Sequence, residues 1–341
     1  MTKSKTFEIQ TEPNTQKRPT RSVFQLLIAR PEVMIIAALV VLVAVFVGVR
    51  PDAFLSVINL RNMAVEASVM MILAVGMTFV IVTAGIDLSI GAVLVFAGVC
   101  SVLTMRWLGP DAAITPYAGL VVALSAGLAW GIINGLLVAY ARLTPLIVTL
   151  ATMGIALGAA RLLSGGIDLT GVPRELVNTI GIGRIGNVPI IFIIAILFAA
   201  VAGVALHKTR FGIHTFAIGS NTEGASRSGI NVKRHLVAVY AISGFCAGLA
   251  AYLTLSRFAS TTIAGHSLDN LKAITAVVLG GASLFGGTGT LFGTGIGVLI
   301  PVVLASGLVI VGLPSFWQEV AVGVVLLAAV LIDQLRRNDR N

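Results

Sequence analysis

Residues 83–91 read TAGIDLSIG, Thr83 to Gly91. They sit inside a run from Ala67 to Met105 that is otherwise apolar or small, and Asp87 is its one charged side chain. An ionised carboxylate is costly in lipid, so acids inside membrane segments pair, face the bundle or do work. The stretch is therefore a turn between two membrane helices or a functional group held within the membrane. Both readings make the flanking segments helices. The junction lies either at the inner surface or at a break within the membrane.

The rest of the chain supports a membrane setting. Of its 341 residues, 57% are hydrophobic and 11% charged, against roughly 25% charged in soluble domains. Mean hydropathy is +1.00. Several apolar runs reach the ~20 residues that a bilayer crossing needs. A membrane barrel would instead show ~10-residue alternating segments. The fold class expected is an all-α polytopic membrane protein with about ten spans. These fall at 32–49, 64–83, 88–105, 118–140, 145–163, 188–206, 236–256, 270–282, 290–311 and 316–333. Pro145 suits the first turn of the fifth.

This divides the chain into an N-terminal tail (1–30), a transmembrane domain (31–333) holding a polar segment at 207–235, and a C-terminal tail (334–341). With the N-terminus inside, alternation through ten spans places 15 of the 23 basic residues on the inner side. That matches the positive-inside bias and puts both termini in the cytoplasm. The tail lacks the early apolar core of a cleaved signal. The net charge of +9 does not point to nucleic acid, because the basic residues form no stripe. Cys100 and Cys246 lie in apolar runs and read as small core residues.

Glycines recur every fourth residue: Gly127, Gly131 and Gly135; Gly154 and Gly158; Gly244 and Gly248; Gly289, Gly293 and Gly297. Small residues at this spacing let membrane helices approach closely, within one chain or between two copies. GIDLSIG at 85–91 and GASLFGG at 281–287 share three of seven positions. Chance in a glycine-rich chain or an inverted repeat of the transporter kind accounts for that.

Motifs for chemistry are missing. GIGRIG at 181–186 fits a dinucleotide fingerprint, but the position about 20 residues on is Leu206, not an acid, so it reads as a loop turn. FGGTGTLFGTG at 285–295 resembles a phosphate cradle, yet no lysine follows Lys272. No Walker A sequence occurs, so any ATP hydrolysis belongs to another polypeptide. His207, His214, His235 and His266 have no metal-ligand spacing. No enzyme and no cofactor is expected.

The polar segment holds SNTEGASRSG, which fits a short helix. Ser220 or Asn221 would be its N-cap, Glu223 would lie in the first turn and Gly229 would be the C-cap. A short capped helix on the inner face suits docking into a groove on a partner, and a solvated basic loop is the plainer alternative.

Five motifs carry a resemblance: NLRNMAVEASVMMILAVGMTFVIVTAGIDLSIG (59–91), TPLIVTLATMGIALG (144–158), AIGSNTEGASRSGINVKR (217–234), AITAVVLGGASLFGGTGTLFGT (273–294) and PSFWQEVAVGVVLLAAV (314–330). The chain resembles permease subunits of ABC importers of the ribose and monosaccharide class, relatives of the branched-chain amino acid permeases. The resemblance implies a type II-importer-like bundle in the bacterial inner membrane, surrounded by lipid. It implies three partners: an ABC ATPase, a periplasmic sugar-binding protein and a second permease copy, identical or related. It assigns Asn221, Glu223, Ala225, Arg227, Ser228 and Gly229 to coupling with the ATPase. Ser226 departs from the alanine expected there, a conservative change.

Such a permease needs a polar-lined path. The candidates are Thr78, Asp87, Ser89, Asn134, Thr149, Thr152, Ser243 and Ser256. Serine and threonine in membrane helices also bond their own backbone, which is the alternative for each. Asp87 reads best as the N-cap of the third span, accepting from the N–H of Ser89 or Ile90. A transporter driven by an ion gradient would need coupling carboxylates. Asp87 is the single deep candidate, with Glu66 and Glu319 near span ends.

Overall fold

The structure, a computed structural model, describes residues 31–266, 268–314 and 316–338. The expected tail at 1–30 and residues 339–341 lie outside the described residues. The long helices are α1 (Pro31–Val49), α2 (Val57–Val82), α3 (Ile90–Leu108), α4 (Thr115–Ala139), α5 (Pro145–Ser164) and α6 (Ile190–Lys208). Two short helices follow, α7 (Arg210–Ser220) and α8 (Thr222–Arg227). The chain then forms α9 (Val232–Phe258), α10 (Asp269–Leu279), α11 (Leu291–Ile310) and α12 (Phe316–Asn338). A two-residue hairpin joins β1 (Arg184–Ile185) to β2 (Val188–Pro189), with Arg184 opposite Pro189.

Each expected span falls on a helix. Seven of the described helices are long and apolar enough to cross a membrane: α2 to α6, α9 and α11. The apolar parts of α1 and α12 are shorter. The expected span at 270–282 needs correction. Its helix, α10, has 11 residues, about 16 Å at 1.5 Å per residue, half of a ~30 Å hydrocarbon core. Three further boundaries differ. The polar segment at 207–235 is largely helical, because Thr209 and Asn221 each supply a side-chain cap that starts a helix. The last helix runs to Asn338, five residues into the expected C-terminal tail. A hairpin straddles the end of the 164–187 stretch and the start of the expected span at 188–206, and GIGRIG (181–186) ends at Gly186, the first residue of its turn.

The bundle is built around α2. From Ala67 to Val82 every residue of this helix is buried. That explains its unbroken apolar run, since a helix apolar all round belongs at a centre. The glycine stripe of α4 packs on α9 of the same chain. A methyl group on Gly131 would strike the Tyr240 carbonyl, and one on Gly127 the Gly244 carbonyl. Gly293 and Gly297 bring α11 against Gly280 and Ala276 of α10 in the same way. Gly154 and Gly158 of α5 differ, with open space where a Cβ would stand.

The GIDLSIG and GASLFGG turns lie against one another. Gly287 donates its N–H to the Val82 carbonyl at 2.9 Å, and Gly286 packs on Ala84. The GASLFGG turn therefore packs on the start of the junction that links α2 to α3.

Candidate functional site

The chain between α2 and α3 turns back into the bundle. Asp87 is 2% exposed. Its Oδ1 accepts from the Ser89 N–H at 3.0 Å and the Ser89 hydroxyl at 2.6 Å. Its Oδ2 accepts from the Ser243 hydroxyl at 2.7 Å. Asn134 of α4 donates to Ser89 Oγ at 2.8 Å, and Thr149 of α5 donates to the Ile86 carbonyl at 3.3 Å. The bond to Ser89 is the one expected. The N-cap assignment is corrected: Ser89 holds that position, and Asp87 stands two residues before the helix. The first backbone bond of α3 runs from the Val93 N–H to the Ser89 carbonyl at 2.8 Å, which places the cap after Asp87.

The junction lies inside the bundle. Ser243 is about 16 Å along α9 from Val232 at 1.5 Å per residue. The N-terminus of α10 meets the same place: Asn270 donates to the Leu88 carbonyl at 3.0 Å, and Gly91 abuts the His266 carbonyl. Two helix N-termini, of α3 and α10, thus converge in the interior, where their partial positive charge favours the Asp87 and Asp269 carboxylates.

The structure gathers Asp87, Ser89, Asn134, Thr149 and Ser243 into one buried network. The remaining three candidates stand apart. Thr78 shares a 2.9 Å bond with Thr294 of α11. Thr152 bonds the Thr149 carbonyl and Ser256 the Leu253 carbonyl, each three residues back on its own helix. All eight are buried within the chain.

The 217–234 segment forms an exposed knob. Asn221 Oδ1 accepts from the Gly224 N–H at 2.8 Å and caps α8. Ser228 is the C-cap, and Gly229 follows with φ +86°. Gly229 N–H donates to Ser226 and Ile230 N–H to Ala225, the paired bonds of a Schellman ending. This corrects the C-cap by one residue, because the left-handed position is the one after the cap. Glu223 and Arg227 form an exposed ion pair of 2.6 Å, while Ala225 is buried underneath. On the other side of Asn221, Gly219 and Ser220 contact Val82 and Gly287. The knob thus rests on the end of α2 and on the GASLFGG turn, close to the Asp87 junction.

A polar cleft was missed by sequence reasoning. Its volume is about 340 Å³, and its lining includes Asn59, Asn62, Glu66, Arg257, Lys272, Ser306 and Gln318. Arg257 pairs with Glu66 at 2.7 Å, and Lys272 lies 3.6 Å from Asp269. A signal existed: Asn59, Asn62 and Glu66 recur at i, i+3 and i+7, one face of a helix.

These features define a multi-pass membrane permease: a helical bundle with broken helices in its interior and a capped, exposed knob at one end. The chain belongs to the family described as the branched-chain amino acid transport system / permease component, whose model matches residues 59–330. It is 39% identical to the ribose import permease protein RbsC of Bacillus subtilis (strain 168), over 86% of this chain and 90% of that protein. It is 34% identical to the D-allose transport system permease protein AlsC of Escherichia coli (strain K12), over 87% and 90% respectively. The galactose/methyl galactoside import permease protein MglC of the same strain is 35% identical, over 89% and 94%. No solved structure matches the chain.

Proposed function

We propose that this chain is the membrane permease subunit of an ATP-driven importer of a neutral monosaccharide, such as ribose, another pentose, a hexose or a polyol. The relatives named above are sugar permeases at this level of identity. The observation that carries the mechanism is that Gly219 and Ser220, just before α8, sit on Val82 at the end of α2 and on Gly287 of the GASLFGG turn. In this reading an ABC ATPase docks on the exposed face of α8 through Asn221, Glu223, Arg227, Ser228 and Gly229, with Ala225 anchoring the helix from beneath. Closure of two ATPases moves the knob. Gly219 and Gly287 pass that movement to Val82 and Ala84, and so to the Asp87 network. Because that network joins α3, α4, α5 and α9, a shift there changes how the helices pack.

Both termini face the cytoplasm of a bacterial inner membrane. A periplasmic binding protein delivers sugar to the opposite face. A second permease copy completes the assembly, and the open Gly154–Gly158 face of α5 suits a close helix contact. Of the eight path candidates, the five networked residues act as a structural hub, while Thr78, Thr152 and Ser256 hold helix contacts. An ion-gradient mechanism is less favoured. Asp87 already accepts three hydrogen bonds from its own chain, and such a mechanism leaves the knob without a role.

The test is uptake into vesicles holding the permease, its ATPase and its binding protein. Sugar accumulation that requires ATP hydrolysis is expected. Accumulation that persists with a hydrolysis-deficient ATPase overturns the proposal.

A further inference from the structure

The segment between α9 and α10 does not stay at the surface. Arg257 lies near the end of α9, yet twelve residues later Asp269 is buried beside Gly91. The chain between them is held in place from the side. Thr261 N–H donates to the Leu169 carbonyl at 2.9 Å, and Ile263 N–H donates to Asp168 Oδ1 at 2.7 Å. Irregular backbone at depth is tolerated where it lines a cavity. Here Thr262, Gly265 and His266 line a pocket of about 140 Å³ that shares Glu66, Arg257 and Lys272 with the polar cleft, and the half-helix α10 brings Lys272 to the wall of both.

We propose that this cleft is a sugar-binding vestibule within a single permease chain, on the side opposite the knob. The inference rests on the sugar-importer reading and adds the residues that would meet the substrate. Its volume of about 340 Å³ lies at the small end of ligand pockets, which run from about 300 Å³. Glu66, Arg257 and Lys272 line it, and Asp269, in the adjoining pocket, lies 3.6 Å from Lys272 and offsets its charge. The four charges sum to zero, so the cleft does not select for an ionic solute. Its donors and acceptors alternate over short distances: the Arg257 guanidinium against the Glu66 carboxylate at 2.7 Å, and the Lys272 ammonium 3.6 Å from Asp269. Neighbouring hydroxyls of a sugar each donate and accept, so they match such an array. Glu66 and Arg257 retain partial exposure, 48% and 24%, which leaves both in reach of a solute entering from water. Asn62 lines the same cleft and is exposed.

The sequence separates these residues on three helices, α2, α9 and α10. The buried Asp87 network is tied to the N-terminus of α10 by the bond from Asn270 to the Leu88 carbonyl. Substrate in the vestibule and the nucleotide-driven knob thereby act on one junction from two sides.

The test uses the complete importer in vesicles, with D-ribose, D-allose and D-galactose as probes. Glu66→Gln and Lys272→Met are each expected to lower uptake about tenfold, the scale of a lost charge-assisted hydrogen bond. The double exchange of Glu66→Arg with Arg257→Glu separates binding from bracing. It rebuilds the ion pair but reverses the array, so uptake is expected to stay low. Recovery to near wild type shows a structural brace and overturns the vestibule. In parallel, Asn62→Cys is labelled with a water-soluble thiol reagent, with Cys100 and Cys246 of the wild type as background. Slower labelling in the transported sugar supports the site, and labelling unchanged by that sugar overturns it. If the wild-type importer takes up neither these three nor any other pentose, hexose or polyol, the sugar-importer reading itself fails.

Discussion

Ser243 donates a hydrogen bond to Asp87 at 2.7 Å, across 156 positions of sequence. It ties the middle of α9 to the turn between α2 and α3. Asp87 is 2% exposed, so these bonds replace water entirely. Asp87→Leu removes the acceptor from Ser89 N–H, Ser89 Oγ and Ser243 Oγ together. Each buried donor left unmade costs about 1–3 kcal/mol. The variant is expected to fail in assembly, seen as loss of monodisperse protein in detergent. Asp87→Asn keeps one acceptor for Ser89, and its amide donates to Ser243 Oγ, so it is expected to retain much of the uptake. Full transport by Asp87→Leu counts against the hub.

Gly131 faces the Tyr240 carbonyl with no room for a methyl group. Gly131→Val is expected to separate α4 from α9 and destabilise the bundle by about 1–3 kcal/mol, the usual cost of overpacking. Gly154→Ala on the open face of α5 is expected to leave the isolated chain's thermal midpoint unchanged or higher. A midpoint measurement on both variants checks the contrast.

The Glu223–Arg227 pair is exposed on both sides, and exposed pairs contribute about 0–1 kcal/mol. Arg227→Ala is therefore expected to leave folding nearly unaltered. If α8 is the docking knob, the same variant loses co-purification of the ATPase. Retained co-purification would place the docking surface elsewhere.

Gly229 holds φ +86°, a left-handed conformation costing other residues about 1–2 kcal/mol. Gly229→Val is expected to unravel the end of α8, and Asn221→Ala to cost about 0.5–2 kcal/mol by removing its cap. Both should weaken ATPase binding in proportion to the lost order of α8. Hydrogen exchange of the 222–227 amides reads that order.

Gly287 has φ +75° and lies against Ser220. Gly287→Ala is expected to separate the knob from the Val82 carbonyl while leaving the exposed face of α8 intact. ATPase binding should survive and sugar uptake should fall, so that hydrolysis runs uncoupled from transport. Equal loss of both would mean that the contact serves folding alone.

Much of this was legible along the chain because the signals are local. The apolar runs marked the helices, Pro145 marked a helix start, and SNTEGASRSG carried its own caps. Local signals also set the errors. Asp87 reads as an N-cap because Asx residues before helices usually are, and the backbone of Ser89 moved the start by two residues. The run at 270–282 reads as a span because hydropathy does not register that its first residues are buried halfway down the bundle.

The amino-acid sequence by itself determined a helical membrane bundle, the glycine faces on which helices meet and the capped knob at 222–227. Each follows from residues within a turn or two of one another. Only the tertiary structure decided that Asp87 answers to Ser243, that the knob rests on Val82 and Gly287, and that Glu66, Arg257 and Lys272 share one cleft. The reason is that a buried polar group must find its hydrogen-bond partners wherever packing brings them. In a bundle of crossing helices those partners come from distant segments, and no periodicity records the distance between them.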